Sequence, residues 1–145
     1  KKIFDPHVRF DFFDNIFWVI MVENSCDNKA PPCVSNILIA KSTTSDPSLN
    51  PIDWVFKRID ARIKEFHWLD YPGFSFDHEM IYITANILEA TNILPPGYTR
   101  TPLDKSYLWV LRKSNLKTHA GPISLGQLQT NTPAVRHAGW SSGTY

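Results

Sequence analysis

The sequence has few cysteines and glycines and no long hydrophobic run, and these shortages exclude several classes of protein. Its longest apolar stretch, Ile16–Val22, is far shorter than the roughly 20 residues that a membrane-spanning helix needs. Lysine and arginine together number 15 against 14 acidic residues, and no basic stripe predicts contact with a phosphate backbone. We therefore expect no membrane-spanning segment and no nucleic-acid partner.

Motifs of several common chemistries are also missing. Gly121–Gly126 lacks the Gly-Lys-Ser/Thr ending of a phosphate-binding loop. The five histidines show no His-x-x-x-His or Glu-containing metal spacing. Several carboxylates could serve a glycosidase, but no spacing selects a pair of them. The sequence therefore favours a protein that is not an enzyme.

Two cysteines are present, Cys26 and Cys33, and both lie on one polar, proline-rich loop. Thiols this close together can form a small disulfide ring, which persists in an oxidising compartment. The alternative is two unrelated reduced thiols, and a zinc site is disfavoured because it needs four ligands. We expect the disulfide, and with it a periplasmic or extracellular location.

Strand patterns dominate the chain. Short apolar or alternating runs, bounded by Pro, Asn, Ser or Asp, are typical of β-strands. They lie at residues 7–12, 17–22, 36–40, 54–59, 74–76, 80–85, 107–111 and, more weakly, 123–129. Only Ala61–Phe66 suggests a helical turn. The pattern predicts an all-β fold.

The strands belong to an internal repeat. Pro72 lies 66 residues after Pro6, and at the same offset Phe10-Asp11 matches Phe76-Asp77. Each unit then has a stronger β run and a third run that ends in Lys-Ser, at Lys41 and at Lys113. Pro133-Ala-Val-Arg136 resembles Pro6-His-Val-Arg9. The order of these matches indicates duplicated four-stranded units.

A four-stranded sheet cannot bury both of its faces alone, and β-propellers solve this by packing ~4–8 such sheets around an axis. We expect residues 4–60 to form one antiparallel blade, residues 66–129 a second, and residues 130–145 the start of a third. Two blades and a fragment cannot close a ring. We therefore expect a propeller fragment that is completed by the remainder of a longer polypeptide or by other subunits. A stand-alone β-sandwich of the two sheets is an alternative.

At these residues the chain resembles secreted β-propellers that are distantly related to the sialidase-like and BNR-repeat folds. Their blades often read Asp-Pro-x-Val-x-Tyr-Asp, then Ala-x-Ser-x-Thr-x-Asp-Pro before a Trp strand, and the next blade opens with Asp-Tyr-Pro. The matching stretches are Asp5–Asp11, Ala40–Pro47 with Trp54, Asp70–Pro72 and Ile81–Asn86. Ser75, Phe17-Trp18 and Lys41 depart from the pattern, and no sialidase Asp-box is present.

Two groups of residues are candidates for binding. If the first strand of each blade lines the axis, Asp5 and Asp70 could converge at the channel mouth and hold a cation such as Ca²⁺, with a carbonyl from Asn86. The simpler interpretation is that Asp before Pro accepts local turn hydrogen bonds. Trp68 and Tyr71, on the Asp-Tyr-Pro loop, are free to face a carbohydrate, whereas most other aromatic rings are expected to pack between blades.

Arg9 and Arg136 occupy matching positions of the repeat and could face one place. The leading hypothesis is a non-catalytic β-propeller module that presents loops for protein binding within a larger extracytoplasmic assembly. The alternative is a sialidase-like glycoside hydrolase or carbohydrate-binding propeller, in which Arg9, Arg136, Asp5 and Asp70 converge on one cleft.

Overall fold

The fold was analysed in a computed structural model of the chain. The structure describes residues 2–25, 34–63, 66–89, 105–116 and 126–133, with the backbone alone for residues 105 and 126–133. Within these ranges the fold is all-β, as the sequence predicts. The strands are β1 (Lys2–Asp11), β2 (Ile16–Asn24), β3 (Ser35–Ser42), β4 (Trp54–Asp60), β5 (His67–Phe76), β6 (Met80–Glu89), β7 (Lys105–Arg112) and β8 (Gly126–Pro133).

The strands form two antiparallel sheets of four strands each. Sheet A has the order β1-β2-β3-β4 and sheet B the order β5-β6-β7-β8, so each strand pairs with its neighbour in the chain. Among the described strands, none from one half of the chain enters the sheet of the other half, as the sequence predicts. The predicted helical turn at Ala61–Phe66 is not seen in its described residues, and the short 3₁₀ helices are instead Pro51–Asp53 and Lys113–Leu116.

One hydrophobic core lies between the two sheets. Alternate residues of β2 point into it, and Trp18, Ile20 and Val22 are fully buried there. Sheet B supplies the opposite side of the core with residues such as Ile83 and Trp109. The period of two along each strand is what lets one face enter the core while the other stays outside it.

A matching irregularity marks the first strand of each sheet. The pairing of β1 with β2 shifts between Phe4 and His7, and that of β5 with β6 shifts between Asp70 and Gly73. In each case a proline, Pro6 or Pro72, lies inside the shift. Proline cannot donate a hydrogen bond to the ladder and is tolerated at a bulge. The 66-residue offset found in the sequence therefore corresponds to a repeated structural device.

The residue before each of these prolines has a left-handed backbone. Asp5 has φ of 50° and Tyr71 has φ of 54°. Neither is glycine, so both positions are strained unless the surrounding sheet holds them. The two bulges are thus alike in conformation as well as in position.

Aligning the sheets on these bulges fixes which residues are equivalent, because every residue is paired across to the next strand. On the first strand of each sheet, Val8 is equivalent to Phe74. Their partners on the second strands, Val19 and Ile83, are therefore equivalent, and so are Ala40 and Trp109 on the third strands. The Lys-Ser match in the sequence does not survive this alignment, because Lys41 pairs with Trp18 inside β3 whereas Lys113 follows β7.

Equivalent residues lie on opposite sides with respect to the core. Val8 is 61% exposed and its equivalent Phe74 is 6% exposed. Ile3 is 58% exposed, whereas Leu69, at the same offset from its bulge, is 1% exposed. Sheet A therefore contacts sheet B with one face, and the equivalent face of sheet B is its outer face, which points away from sheet A. This is a heterologous packing, whereas a two-fold sandwich of repeated sheets would bury the same face in both.

A buried ion pair also joins the two sheets. The Lys113 ammonium, after β7, lies 2.5 Å from an oxygen of Asp11 at the end of β1. Asp11 is wholly buried and also accepts hydrogen bonds from the Trp18 indole N–H and the Phe13 backbone N–H, at 2.9 and 3.0 Å. The rings of Phe13 and Phe76 lie against the same ammonium. The first hairpin of sheet A is thereby tied to sheet B.

Candidate functional site

The two bulges bring Asp5 and Asp70 close enough to interact electrostatically. Burial raises the pKa of Asp70, the nearby Asp5 carboxylate raises it further, and the Tyr71 backbone N–H lowers it by a smaller amount. The side chains of Phe4 and Trp68 also meet here, with ring centroids 6.1 Å apart in an edge-to-face arrangement. We call Asp5, Asp70, Trp68 and Tyr71 the bulge site.

Asn86 extends the bulge site across sheet B. Asn86 is on β6, where it lies opposite Asp70 of β5 and opposite Ser106 of β7. The Ser106 hydroxyl donates a 2.9 Å hydrogen bond to the Asn86 side-chain oxygen. The sequence suggested a carbonyl from Asn86 for a cation. Its side-chain oxygen already accepts this hydrogen bond, although a carbonyl oxygen can accept a second one.

The geometry gives the cation prediction two carboxylates but no larger cluster. Among the described residues, no group of three or more His, Cys, Asp or Glu side chains could hold a metal ion. Ca²⁺ takes 6–8 oxygen ligands in proteins, so Asp5 and Asp70 would need many further oxygens. Binding of Ca²⁺ at the bulge site therefore stays a prediction.

Arg9 does not join the two aspartates in a shared cleft. It pairs with Trp18 on the inner face of sheet A, and its guanidinium lies over the Phe74 ring, 5.6 Å from the ring centroid. Asp70, by its pairing with Asn86, belongs to the outer face of sheet B. Among the predicted ligand-binding residues, Tyr71 is the most exposed aromatic one, at 60%.

Some predicted positions lie outside the described residues. These are Arg136 and the two cysteines of the predicted disulfide, Cys26 and Cys33. The stretch Gly139-Trp-Ser-Ser-Gly143, which has the spacing Gly-x-Ser-x-Gly, also lies outside them. In hydrolases that use this spacing, the serine sits on a turn between a strand and a helix. No catalytic role is assigned to Ser141 on the spacing alone.

A second feature, missed from the sequence, is a set of exposed apolar side chains on loops at one end of sheet A. The β1–β2 turn and the β3–β4 loop both lie at this end, because β1 and β3 run in the same direction. Phe12 in the turn is 84% exposed, and Leu49 and Ile52 in the loop are 99% and 77% exposed. We call these three residues the loop patch.

The loop that carries part of this patch is ordered by its own hydrogen bonds. Asp53 accepts from the Ser48 backbone N–H at 2.9 Å and from the Ser48 hydroxyl at 2.6 Å. The Trp54 indole N–H donates to the Ser48 carbonyl at 2.8 Å, and Asn50 caps the following 3₁₀ turn. The apolar residues at positions 49 and 52 are therefore held outward on a fixed backbone, which reduces the entropy lost on binding.

Comparison with known proteins gave no match to a family model, a curated protein or a solved structure. No helix within the described residues has the length and apolar character needed to cross a bilayer.

The bulge site makes a pH-dependent prediction. The pKa of Asp70 is raised in the folded state, so ionisation of this carboxyl lowers the free energy of unfolding at neutral pH. This loss disappears as the pH falls below the ordinary carboxyl pKa. We expect Asp70→Asn to raise the free energy of unfolding at pH 7 and to reduce the gain in stability that the wild type shows on mild acidification. Urea denaturation at pH 7 and pH 4 measures both effects.

Asp77→Asn is the matched control. Asp77 follows β5 and accepts hydrogen bonds from the Tyr82 hydroxyl and the Met80 and Glu79 backbone N–H groups, which lower its pKa. We expect this variant to lose stability at pH 7, opposite in sign to Asp70→Asn. Destabilisation by both substitutions would contradict the proposed electrostatic cost at Asp70.

Proposed function

We propose that this chain is a non-catalytic β-propeller module that presents loops for protein binding within a larger extracytoplasmic assembly. The observation that carries the binding role is the loop patch, where Phe12, Leu49 and Ile52 are exposed at the same end of sheet A. Large apolar residues grouped on a surface are typical of protein-interaction sites. The ordered β3–β4 loop supports the same role.

The packing of the two sheets supports the propeller part of the proposal. In a propeller every sheet packs one face on the next sheet and the opposite face on the previous one, so equivalent residues lie on opposite sides of each contact. Sheets A and B have this relation, as the opposite burial of Val8 and Phe74 illustrates. A closed sandwich gives no reason for the apolar outer face of sheet A.

A photo-crosslinking residue at position 12 or 49 tests the binding role. In the cells that express the protein, we expect each position to give a crosslinked product of one discrete mass, identifiable by mass spectrometry. Arg62, exposed beyond the far end of β4, is the control position and is expected to give much less of that product. Equal labelling from position 62, or none from positions 12 and 49, would contradict the role of the loop patch.

Enzyme assays test the non-catalytic part. The glycosidase alternative has some support in the proximity of Asp5 and Asp70, because a carboxyl with a raised pKa can serve as a general acid. It loses support from Arg9, whose guanidinium covers Phe74 instead. Hydrolysis of fluorogenic glycosides by the full-length protein at about 1 s⁻¹ or faster, within the usual range of enzymes, and its loss in Asp70→Asn, would overturn the proposal.

A further inference from the structure

The outer face of sheet A carries apolar side chains on all four strands, beside polar residues that include Arg58 and, at one end, Glu23 and Asn36. Its apolar members alternate with the core residues and are half-buried or exposed, with Val8, Ile3 and Phe56 the most exposed. The apolar residues of this face are Ile3, Val8, Phe10, Phe17, Val19, Met21, Leu38, Ala40, Trp54 and Phe56. An apolar surface of this extent on one sheet is typical of an interface.

Within the molecule, the equivalent face of sheet B shows what such a surface packs against. The equivalents of Val8, Val19 and Ala40 are Phe74, Ile83 and Trp109, which are all buried in the core. They are covered by sheet A, through the inner face that contains Trp18 and Ile20. The fold therefore already contains one contact of this kind.

If the contact between the two sheets is repeated, the outer face of sheet A is covered by a face equivalent to the inner face of sheet A. The outer face of sheet B is that equivalent face. Tyr82 is equivalent to Trp18, and each lies opposite the residue that follows Val8 or Phe74 on the first strand. The apolar residues of the outer face of sheet B are half-buried: Trp68, Met80, Tyr82, Leu88, Leu108 and Val110. Ser75 and Thr84 add exposed hydroxyl groups, and Asp70, Asn86 and Ser106 add half-buried polar side chains to the same face.

We propose that the outer face of sheet A binds the outer face of sheet B of a second copy of this chain. This inference rests on the propeller-like packing in the proposed function and names one occupant for the apolar face. The contact repeats the relation between sheets A and B, so it joins unlike faces. Repeated heterologous contacts build a ring of copies when the rotation from each copy to the next adds up to a full turn. Pairing of two sheet A faces would instead join equivalent faces, which the molecule itself does not do.

Two variants, each blocked on one face, test this arrangement by sedimentation velocity. Val8→Glu with Phe56→Glu places charges on exposed positions of sheet A, and Leu108→Glu places one on the outer face of sheet B. We expect concentration-dependent oligomers from the wild type between about 1 and 100 µM, since protein interfaces of standard size have affinities in the micromolar range or tighter. We expect each variant alone to associate about 100-fold more weakly or worse, because a misplaced charge in an interface costs several kcal/mol.

Mixing the two variants gives the decisive result. Each then retains one intact face, complementary to the intact face of the other, so we expect one-to-one dimers and no larger species. Dimers of the Leu108→Glu variant alone would indicate pairing of two sheet A faces and overturn the inference. Ser45→Glu, a charge on the exposed β3–β4 loop outside the loop patch, is the control and should associate as the wild type does.

Folding and independence from the loop patch are controlled separately. Circular dichroism checks each variant, and Thr84→Arg, exposed on the same face, replaces Leu108→Glu if the latter fails to fold. A wild type that stays monomeric at about 100 µM, above the micromolar affinities usual for specific interfaces, overturns the second-copy inference. The crosslinks from positions 12 and 49 then still decide the proposed function. Oligomers without those crosslinks would support the second-copy inference and contradict the role of the loop patch.

Discussion

Replacing Asp11 with alanine is expected to destabilise the protein by about 3 kcal/mol or more, because the Lys113 ammonium is left in the core without its main counter-ion. The Asp11 side chain is fully buried and the Lys113 side chain is 5% exposed. The carboxylate also holds the indole of Trp18 and the backbone of the β1–β2 turn. Asp14, 3.5 Å from the same ammonium, compensates only in part because it is half-exposed. Urea denaturation at pH 7 measures the loss.

Two comparisons separate the ion pair from general damage to the core. Asp14→Ala should cost less than about 1 kcal/mol, as for an exposed ion pair. The double variant Asp11→Ala, Lys113→Met should recover part of the loss, because it removes the uncompensated charge along with its partner. If the double variant is less stable than Asp11→Ala by the full cost of a second core substitution, the ion pair is not the cause.

The same carboxylate predicts an acid limb in the stability curve. Burial raises the pKa of Asp11, but the hydrogen bonds from Lys113, Trp18 and the Phe13 N–H lower it by more, so that the pKa is lowered overall. The stabilisation is therefore fully present above the ordinary carboxyl pKa, about 3.9, and is lost as the pH falls through the folded-state value. The difference in stability between wild type and Asp11→Ala should accordingly shrink on acidification below pH 4.

The second large effect is expected at the centre of sheet B. Trp109→Ala should lower the free energy of unfolding by about 3–5 kcal/mol, the usual cost of deleting a buried tryptophan. Trp109 has no exposed surface and packs beside Tyr107, with ring centroids 6.0 Å apart. Its equivalent in sheet A is Ala40, so the core between the sheets depends on the large ring at this one position. The midpoint of urea denaturation and near-ultraviolet circular dichroism should both report the loss.

Trp54→Ala is the matched control for Trp109→Ala. Trp54 is only half-buried at the start of β4, and its indole N–H bonds to the Ser48 carbonyl in the same loop. We expect it to lose less than half as much stability, because little apolar surface leaves the core. Equal losses from the two substitutions would mean that Trp109 does not pack between the sheets as described.

Local signals in the sequence determined much of this fold. Runs such as residues 17–22 and 80–85 predicted β2 and β6, because β-branched and aromatic side chains favour extended backbone. Pro6 and Pro72 marked the 66-residue repeat in the sequence, and the structure places each of them in a bulge within the first strand of its sheet. The structure extends β5 back to His67, beyond the predicted 74–76. A single strand runs through the bulge, and the local sequence pattern does not indicate this continuity.

The sequence brought Asp5 and Asp70 together only on the condition that the first strands line one axis, and it favoured local turn hydrogen bonds for both. The sequence did not indicate that Arg9 would lie over Phe74, because a side chain with several rotatable bonds takes its direction from its neighbours in space. Nor did it indicate the Asp11–Lys113 ion pair, whose members are far apart in the chain. Such a pairing depends on how one sheet is placed on the other.

By itself the sequence determined most of the strands and their order in two repeated units, because these depend on neighbours within a few residues. Only the tertiary structure decided which face of each sheet enters the core. Both faces of β2 are apolar, so its pattern does not distinguish Trp18, which is buried, from Val19, which lies on the outer face. That choice depends on contacts between distant residues, and it left Val8 exposed where its equivalent Phe74 is covered.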